Sequence, residues 1–361
     1  MTTLSSQERV SRMLAHQDHD RIPRRDIFWH ETIKRWQAEG LQGDEDTVLE
    51  MLECDLHELM QATHPVPFPG QETILAQDEF TKTIRDELGK IVRYWKNKSG
   101  VPEHLGFGCD TRETWEKTYK PAILANAMRI DLPTIQREYA ISRSRQKWSI
   151  VKILETFEHT RGLMGDEITM IAMAEDPDWI LDVSHTFTKL TLQNLNAVIA
   201  AGVQPDGLWI FGDMAFKTMT FCSPAMYKEL IWPDHKRLID WAHAHNMKTV
   251  LHSDGNVNAV IDLYIDAGLD CLQPLEAKAG MDVRILCPKY GDKLAFMGNI
   301  DAMVLKENDL ELIEHEIKTK FAAGMKTKGY AYHSDHSVPP QVSWSTYQSL
   351  IQLINKYGNY E

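Results

Sequence analysis

Short apolar runs alternate with amphipathic helical stretches through most of this chain, and this alternation limits the folds open to it. Eight runs predict buried strands, at 24–29, 54–58, 148–154, 206–212, 248–252, 269–273, 293–298 and 329–333. Strands that alternate with helices pair in parallel. Eight of them predict a (β/α)8 TIM barrel, with a doubly wound open sheet as the alternative. The chain has no G-x-G-x-x-G after the first run and no Walker loop, which disfavours a nucleotide-binding open sheet.

The N-terminal part departs from this alternation. Helical patterns cover 5–17, 31–39 and 45–53, and 100–145 is polar and predicted to be helical. Between them, two β-rich runs flank the turn sequence Asp86-Glu-Leu-Gly89, so residues 79–97 predict a β-hairpin. We expect a single domain over 1–361, with helical elaboration at its N-terminus and the hairpin inserted at the barrel rim.

Composition excludes several classes of function. The 361 residues carry a formal net charge of -13, which argues against a nucleic-acid partner. No apolar run approaches the roughly 20 residues of a membrane span, and the N-terminus lacks the apolar segment of a secretory signal. The five cysteines are scattered and contain no C-x-x-C. A reduced, cytoplasmic chain with a small-molecule substrate is therefore expected.

Ionisable residues follow each of the last five predicted strands. In chain order they are Asp213 with Lys217, then His252 and Asp254, then Glu276, then Asp301, and finally His333, Asp335 and His336. In a parallel barrel all of these strand ends lie on the face that carries the active site. Each residue alone could equally cap a helix or belong to a solvated loop. Their recurrence at five successive strand ends predicts a functional site.

His252 and Asp254 stand two residues apart at the end of the fifth strand, so their side chains point the same way. The alternative for Asp254 is the cap of a helix that begins near Val257. Imidazole nitrogen and carboxylate oxygen both suit Zn²⁺, and a catalytic zinc needs three protein ligands and an open position. We predict a metal site of His252, Asp254 and His336, with Glu276 as a fourth ligand or as a support for the ligands.

The remaining candidates divide into catalytic and substrate-binding groups. The catalytic set is Asp213, Glu276 and Asp301, and the substrate-binding set is Arg25, Lys217, Trp29 and His333. Without a metal, the ionisable groups on this face could act as general acid and base. A cation such as Arg25 or Lys217 would hold a substrate carboxylate.

Three segments resemble the uroporphyrinogen decarboxylase superfamily: Ser223-Pro-Ala-Met-Tyr-Lys-Glu-Leu230, His252-Ser-Asp-Gly-Asn256 and Gly298-Asn-Ile-Asp301. The resemblance extends over 147–356 and implies a (β/α)8 barrel. The superfamily contains true decarboxylases and zinc-dependent, corrinoid-linked methyltransferases. The decarboxylases carry an Arg-Gln-Ala-Gly-Arg-Tyr motif near the N-terminus, which binds substrate carboxylates. This chain has Arg21-Ile-Pro-Arg-Arg-Asp-Ile-Phe-Trp29 there, so porphyrinogen decarboxylation is disfavoured.

The resemblance to the methyltransferase branch concerns the metal ligands. In the coenzyme M enzymes of this branch, zinc is bound by a His and a Cys that follow the fifth strand and by a further Cys that follows the eighth. The matching positions here are His252, Asp254 and His336, which are harder ligands suited to an oxygen or nitrogen substrate. The resemblance implies a zinc-dependent methyltransferase that moves a methyl group between a small O-, N- or S-methyl compound and a corrinoid (cobalamin) protein. That protein would be a separate chain, because the Asp-x-His-x-x-Gly corrinoid signature is absent.

Two other functions stay open. The first is a metal-independent decarboxylase of a uroporphyrinogen-like polycarboxylate, with Asp55 or Asp213 as the electrostatic group and Arg24 and Arg25 as anchors. The second is a small-molecule-binding barrel without catalysis. The oligomeric state is also open, and a homodimer is one expectation because barrels of this kind often pair.

Overall fold

A computed structural model describes residues 3–61, 65–97, 100–128 and 130–360, which form a mixed α/β fold. The strands are β1 Leu56–Gln61, β2 Thr73–Gln77, β3 Thr81–Arg85, β4 Ile91–Trp95, β5 Glu103–Gly106, β6 Trp148–Leu154, β7 Gly207–Phe211, β8 Lys248–Ser253, β9 Cys271–Pro274, β10 Ala295–Met297 and β11 Tyr330–Ala331. Among the described residues, no helix has both the length and the apolar character needed to cross a membrane.

Helices cover most of the chain between these strands. They are α1 Ser6–Leu14, α2 His30–Ala38, α3 Glu45–Met51, α4 Arg112–Thr114, α5 Lys120–Ala125, α6 Leu132–Ser144, α7 Thr156–Met164, α8 Asp166–Glu175, α9 Pro177–Ala200, α10 Pro224–Leu230, α11 Trp232–Ala244, α12 Ile261–Ala267, α13 Val283–Tyr290, α14 Ala302–Leu305, α15 Leu310–Gly324 and α16 Trp344–Tyr357. Short π- or 3-10-helical turns lie at Trp115–Tyr119, Asn258–Val260, Ala277–Ala279 and Met325–Thr327. Helices α10 and α11 are separated at Ile231, because Pro233 lacks the N–H that would continue α10 into α11.

Seven parallel strands form the main sheet, in the order β1-β6-β7-β8-β9-β10-β11. Seven of the eight predicted strands are thereby confirmed. Strands that neighbour each other in this sheet also follow each other in the predicted order of strands along the chain. The strands carry an apolar inner face on which Trp148, Ile150, Val250 and Cys271 pack together with Val10 and other residues of α1. The curled sheet with its helices is compatible with a TIM-barrel-like fold.

The predicted first strand, 24–29, is wrong as a regular strand, because its residues make only isolated bridges. The Asp26 carboxylate accepts the neighbouring Ile27 N–H at 3.1 Å and so competes with a ladder hydrogen bond. The segment nevertheless contacts both edges of the sheet. The Asp55 N–H donates to Arg24 O at 2.8 Å, and the Arg25 N–H donates to Tyr332 O at 3.1 Å.

The predicted hairpin over 79–97 is confirmed as β3 and β4, which pair antiparallel around the Asp86 turn. The Asp86 carboxylate closes this turn by accepting the N–H groups of Leu88 and Lys90, each at 2.9 Å. The hairpin belongs to a separate four-stranded antiparallel sheet, β2-β3-β4-β5. The helical prediction for 100–145 is therefore wrong at Glu103–Gly106, where β5 completes this sheet.

Candidate metal site

Asp213, His252 and Asp254 converge where β7 and β8 end. One ligand atom from each lies within 4.8 Å of the other two, and His252 Nε2 is 3.8 Å from Asp213 Oδ1. Ligand atoms around a tetrahedral zinc lie roughly 3.3 Å apart, given bonds of about 2.0–2.1 Å. The spacing in the cluster is thus close to that of metal ligands, and the cluster combines one imidazole with two carboxylates, a donor set that suits Zn²⁺.

His252 is fixed in the form that a metal requires. Its Nδ1 lies 2.6 Å from Gln273 Oε1, to which it donates, and this leaves the Nε2 lone pair on the side of Asp213. The imidazole stacks on Phe211 with ring centroids 4.4 Å apart. Burial lowers the pKa of His252, which favours the neutral ligand. A partner that orients the second ring nitrogen is typical of metal-bound histidines.

Asp254 does not cap a helix, so that alternative is wrong. The next helical turn, Asn258–Val260, has no side-chain cap. Asp254 Oδ1 is instead buried and has no hydrogen-bond partner among the residues that the structure describes. Burial, followed by the charge of Asp213, raises the pKa of Asp254 to about 7. Two adjacent carboxylates, one with an unsatisfied oxygen, would be stabilised by a bound cation.

Asp213 was assigned a catalytic role, and the structure places it in the metal cluster. Its Oδ1 accepts the Asp254 N–H at 2.9 Å, so it also orients the strand end that carries the second carboxylate. Gln273 was missed altogether as a functional residue. Its position opposite His252 in the register of β8 and β9 is the signal that could have identified it.

Glu276 supports the turn that follows Asp254 and lies outside the three-residue cluster. Its Oε2 accepts the Gly255 N–H at 2.7 Å, and its Oε1 pairs with Lys278 at 3.0 Å. Gly255 has φ +82°, and a Cβ there would collide with the carbonyl oxygen of Ala215. The glycine is therefore required where the turn after β8 crosses the chain that follows β7.

His336 also lies outside the cluster of ligand atoms, although its charge acts on Asp254 and lowers that group's pKa. The His336 ring lies near Trp29, with centroids 6.0 Å apart. Its role as a ligand and the role of Trp29 in substrate binding therefore stay predictions. The charge of His336 acts on Asp254, and Trp29 lies beside the His336 ring.

The other predicted site residues occupy more varied environments. Asp301 accepts the Met303 N–H at 2.7 Å and caps α14. His333 is fully buried, with Nε2 3.4 Å from Gln273 Nε2, and burial lowers its pKa to about 3. Lys217 is exposed on the loop after β7. Catalysis by Asp301 and substrate binding by His333 and Lys217 are untested predictions.

Two of the residues proposed for metal-independent decarboxylation, Asp55 and Arg24, are engaged in structural contacts. Asp55 is fully buried and accepts from Arg9 Nη1 at 2.6 Å, Arg21 Nη1 at 2.7 Å and the Arg24 N–H at 2.9 Å. Arg24 Nη1 in turn donates to Asn355 Oδ1 at 2.6 Å. These contacts hold the N-terminal segment against the sheet.

A curled parallel sheet with polar side chains at its strand ends is typical of TIM-barrel-like proteins. Residues 161–357, more than half of the chain, match the family model described as Uroporphyrinogen decarboxylase (URO-D). The chain therefore belongs to the uroporphyrinogen decarboxylase family, a family of enzymes. The resemblance inferred from its motifs is confirmed.

A solved structure shares this fold over nearly the whole chain. It is a methyltransferase from Methanosarcina mazei, similar with a TM-score of 0.68 and 16% sequence identity over 98% of this chain and 99% of that one. At this identity the similarity establishes the fold alone. A comparison with curated protein sequences gave no match.

Proposed function

We propose that this protein is a zinc-dependent methyltransferase that moves a methyl group between a small methylated compound and a separate corrinoid protein. One observation carries the proposal: the buried, unpartnered Asp254 Oδ1 lies beside Asp213 and a neutral His252 whose Nε2 is available. The methyltransferase fold of the structural neighbour supports the same reading. The proposal adopts the (β/α)8 barrel, in which residues 23–25 close the ring between the chain after β11 and the chain before β1.

Asp213, His252 and Asp254 would hold the zinc, with His336 approaching from the side of β11. Bound there, zinc supplies a Lewis acid that polarises the heteroatom carrying the methyl group. The chain's own residues orient this arrangement. Gln273 holds the His252 ring, and Glu276 fixes the turn behind Asp254. Phe211 covers one face of the imidazole and so limits the approach of water from that side.

Metal analysis of the purified protein is the first test. We expect about one zinc per chain after dialysis, and loss of most of it in His252→Ala and Asp213→Asn. The control is His315→Ala, which changes an exposed histidine on α15. Protein that retains its fold but takes up no zinc, or zinc that is unaffected by His252→Ala, would contradict the metal site.

Methyl transfer is the second test. Zinc-loaded protein is mixed with cob(I)alamin and a panel of O-, N- and S-methyl compounds, and the formation of methylcobalamin is followed by its visible absorption. We expect transfer from one chemical class, abolished by removal of zinc and by His252→Ala. Release of CO2 from uroporphyrinogen by metal-free protein would instead support the decarboxylase alternative.

A further inference from the structure

A second polar cluster lies on the inner face of the sheet, below the metal site. Lys152 Nζ and Arg25 Nη2 both contact Glu58 Oε2, at 2.9 and 3.0 Å. Both cations also lie over the ring of Trp209, with Arg25 Cζ 5.4 Å and Lys152 Nζ 5.8 Å from its centroid. We call these four residues the lumen cluster. A single carboxylate shared by two cations leaves one positive charge in excess.

Two donors of the lumen cluster are left without an acceptor. Arg25 is 7% exposed and Trp209 3% exposed, and neither Arg25 Nε nor Trp209 Nε1 has a partner within the described parts of the chain. A buried N–H without an acceptor destabilises the fold, because it has lost its hydrogen bond to water. An excess positive charge together with two unsatisfied donors is what an anionic ligand would complete.

Solvent reaches the cluster although it faces the interior. The side chain of Lys152 is 25% exposed and that of Glu58 33% exposed. Glu58 follows Leu56, a member of the inner apolar core, by two residues and so points to the same face. The inner space is therefore open at this level. A second acid, Glu45 at the start of α3, interacts electrostatically with both Arg25 and Lys152, but it is an exposed residue.

The strand register relates the cluster to the metal ligands. Lys152 pairs with Trp209, while Phe211, two residues further along β7, pairs with His252. Two residues of a strand span about 7 Å and return the side chain to the same face. The lumen cluster thus lies one side-chain repeat below His252, and Phe211 lies at the level of His252, on whose ring it stacks.

We propose that Arg25, Lys152 and Trp209 form a subsite for an anionic group of the substrate, with Glu58 as the internal anion that the substrate displaces. This inference rests on the proposed function for its biological meaning. It names the substrate class as an organic anion, foremost a carboxylate, whose methyl-bearing heteroatom is about one strand repeat from the charge. The geometry assigns specificity to Lys152, Trp209 and Glu58, in addition to the expected contact from Arg25.

Binding of matched acids and amides tests the subsite. The probes are 4-methoxybenzoate with 4-methoxybenzamide, and methoxyacetate with methoxyacetamide, each titrated calorimetrically into zinc-loaded and chelator-treated protein. We expect at least one acid to bind tenfold or more tightly than its amide, with or without zinc. Equal binding of acid and amide in both pairs, or binding of none of the probes, would overturn the proposal.

Two variants, one that removes a positive charge and one that removes a negative charge, distinguish a ligand subsite from an ion pair that only stabilises the fold. Lys152→Met keeps the chain length and should remove the preference for the acid. Glu58→Gln removes the competing anion and should tighten binding of the acid severalfold without changing that of the amide. Lys189→Met, at an exposed position on α9, is the control. If Glu58→Gln weakens acid binding as Lys152→Met does, the cluster only stabilises the fold.

The two proposals can fail separately. A preference for acids in chelator-treated protein, with no methyl transfer, would leave the subsite intact and contradict the proposed reaction. Methyl transfer that is confined to neutral compounds and unaffected by Lys152→Met would overturn the subsite and leave the reaction intact.

Discussion

Replacing Asp254 with Asn should stabilise the metal-free protein while removing its response to zinc. Burial and the charge of Asp213 raise the Asp254 pKa from 3.8 to about 7. Each pKa unit corresponds to about 1.4 kcal/mol, so the ionised carboxylate costs the metal-free fold up to about 4 kcal/mol at pH 8. The buried amide would lack a partner in the same place, at a cost of about 1–3 kcal/mol. We expect a net gain of about 1–3 kcal/mol at pH 8.

The sign of this effect depends on pH and on zinc. Because the folded-state pKa lies above the unfolded value, the stabilising protonated form is present at low pH and is lost as the pH rises through 7. The advantage of Asp254→Asn over wild type should therefore shrink at pH 5. Zinc at a hundred times its dissociation constant should stabilise wild type by about 2.7 kcal/mol and the variant by much less.

Urea unfolding followed by circular dichroism measures both effects, at pH 5 and pH 8, with chelator and with zinc. Asp292→Asn, at an exposed turn position, is the matched control and should change neither quantity. If Asp254→Asn destabilises the chelated protein at pH 8, the carboxylate has a structural partner and the electrostatic argument fails. If zinc stabilises the variant as much as wild type, Asp254 is not a ligand.

Three further predictions concern residues around the site and in the core. Gln273→Leu should weaken zinc binding by about ten- to a hundredfold, measured by competition with a chelator. Gln273→Glu keeps an acceptor for His252 and should not weaken zinc binding. If both variants lose zinc affinity equally, Gln273 does not orient His252. Burial raises the Asp26 pKa to about 6, so the stabilising protonated form is lost as the pH rises through 6. The free energy of unfolding of Asp26→Asn, measured in urea, should therefore rise by up to about 3 kcal/mol relative to that of wild type between pH 4 and pH 7. A difference that is the same at both pH values would contradict this. Asp301→Ala should lower the free energy of unfolding by about 1 kcal/mol, as for a lost helix cap, and retain zinc; metal loss would show a role beyond the cap.

The strand order was predictable because each strand is a short apolar run bounded by helical stretches. The first predicted strand, 24–29, is the exception. Ile27, Phe28 and Trp29 look like a strand, but the Asp26 side chain takes a backbone hydrogen bond that a ladder would use. The small sheet was recognised only as its central hairpin. Its outer strands, Thr73–Gln77 and Glu103–Gly106, are short and largely exposed, and they lack the alternation of apolar and polar residues that marks a half-buried strand.

The sequence predicted where the candidate metal site lies, but not all of the residues that form it. Strand ends place Asp213, His252 and Asp254 on one face, and period-two spacing correctly aligned the last two. Asp213 joins the cluster because β7 and β8 are adjacent, whereas His336, with Glu276 as a fourth ligand or support, had been expected beside His252 and Asp254. Asp254 could not be assigned from sequence, because a cap and a ligand demand the same short acidic side chain.

The crossing at Gly255 has a consequence for metal-site engineering. Its backbone lies against the carbonyl of Ala215, and the Asn256 N–H donates to Phe216 O at 2.9 Å, so the chain after β7 and the chain after β8 are clamped together by main-chain atoms. The clamp holds the attachment points of Asp213 and Asp254 whatever side chains they carry. Thiolate, imidazole or carboxylate donors could be exchanged at these positions to change metal preference with the framework intact. A residue larger than glycine at 255 would separate the two attachment points, and no choice of ligand would restore them.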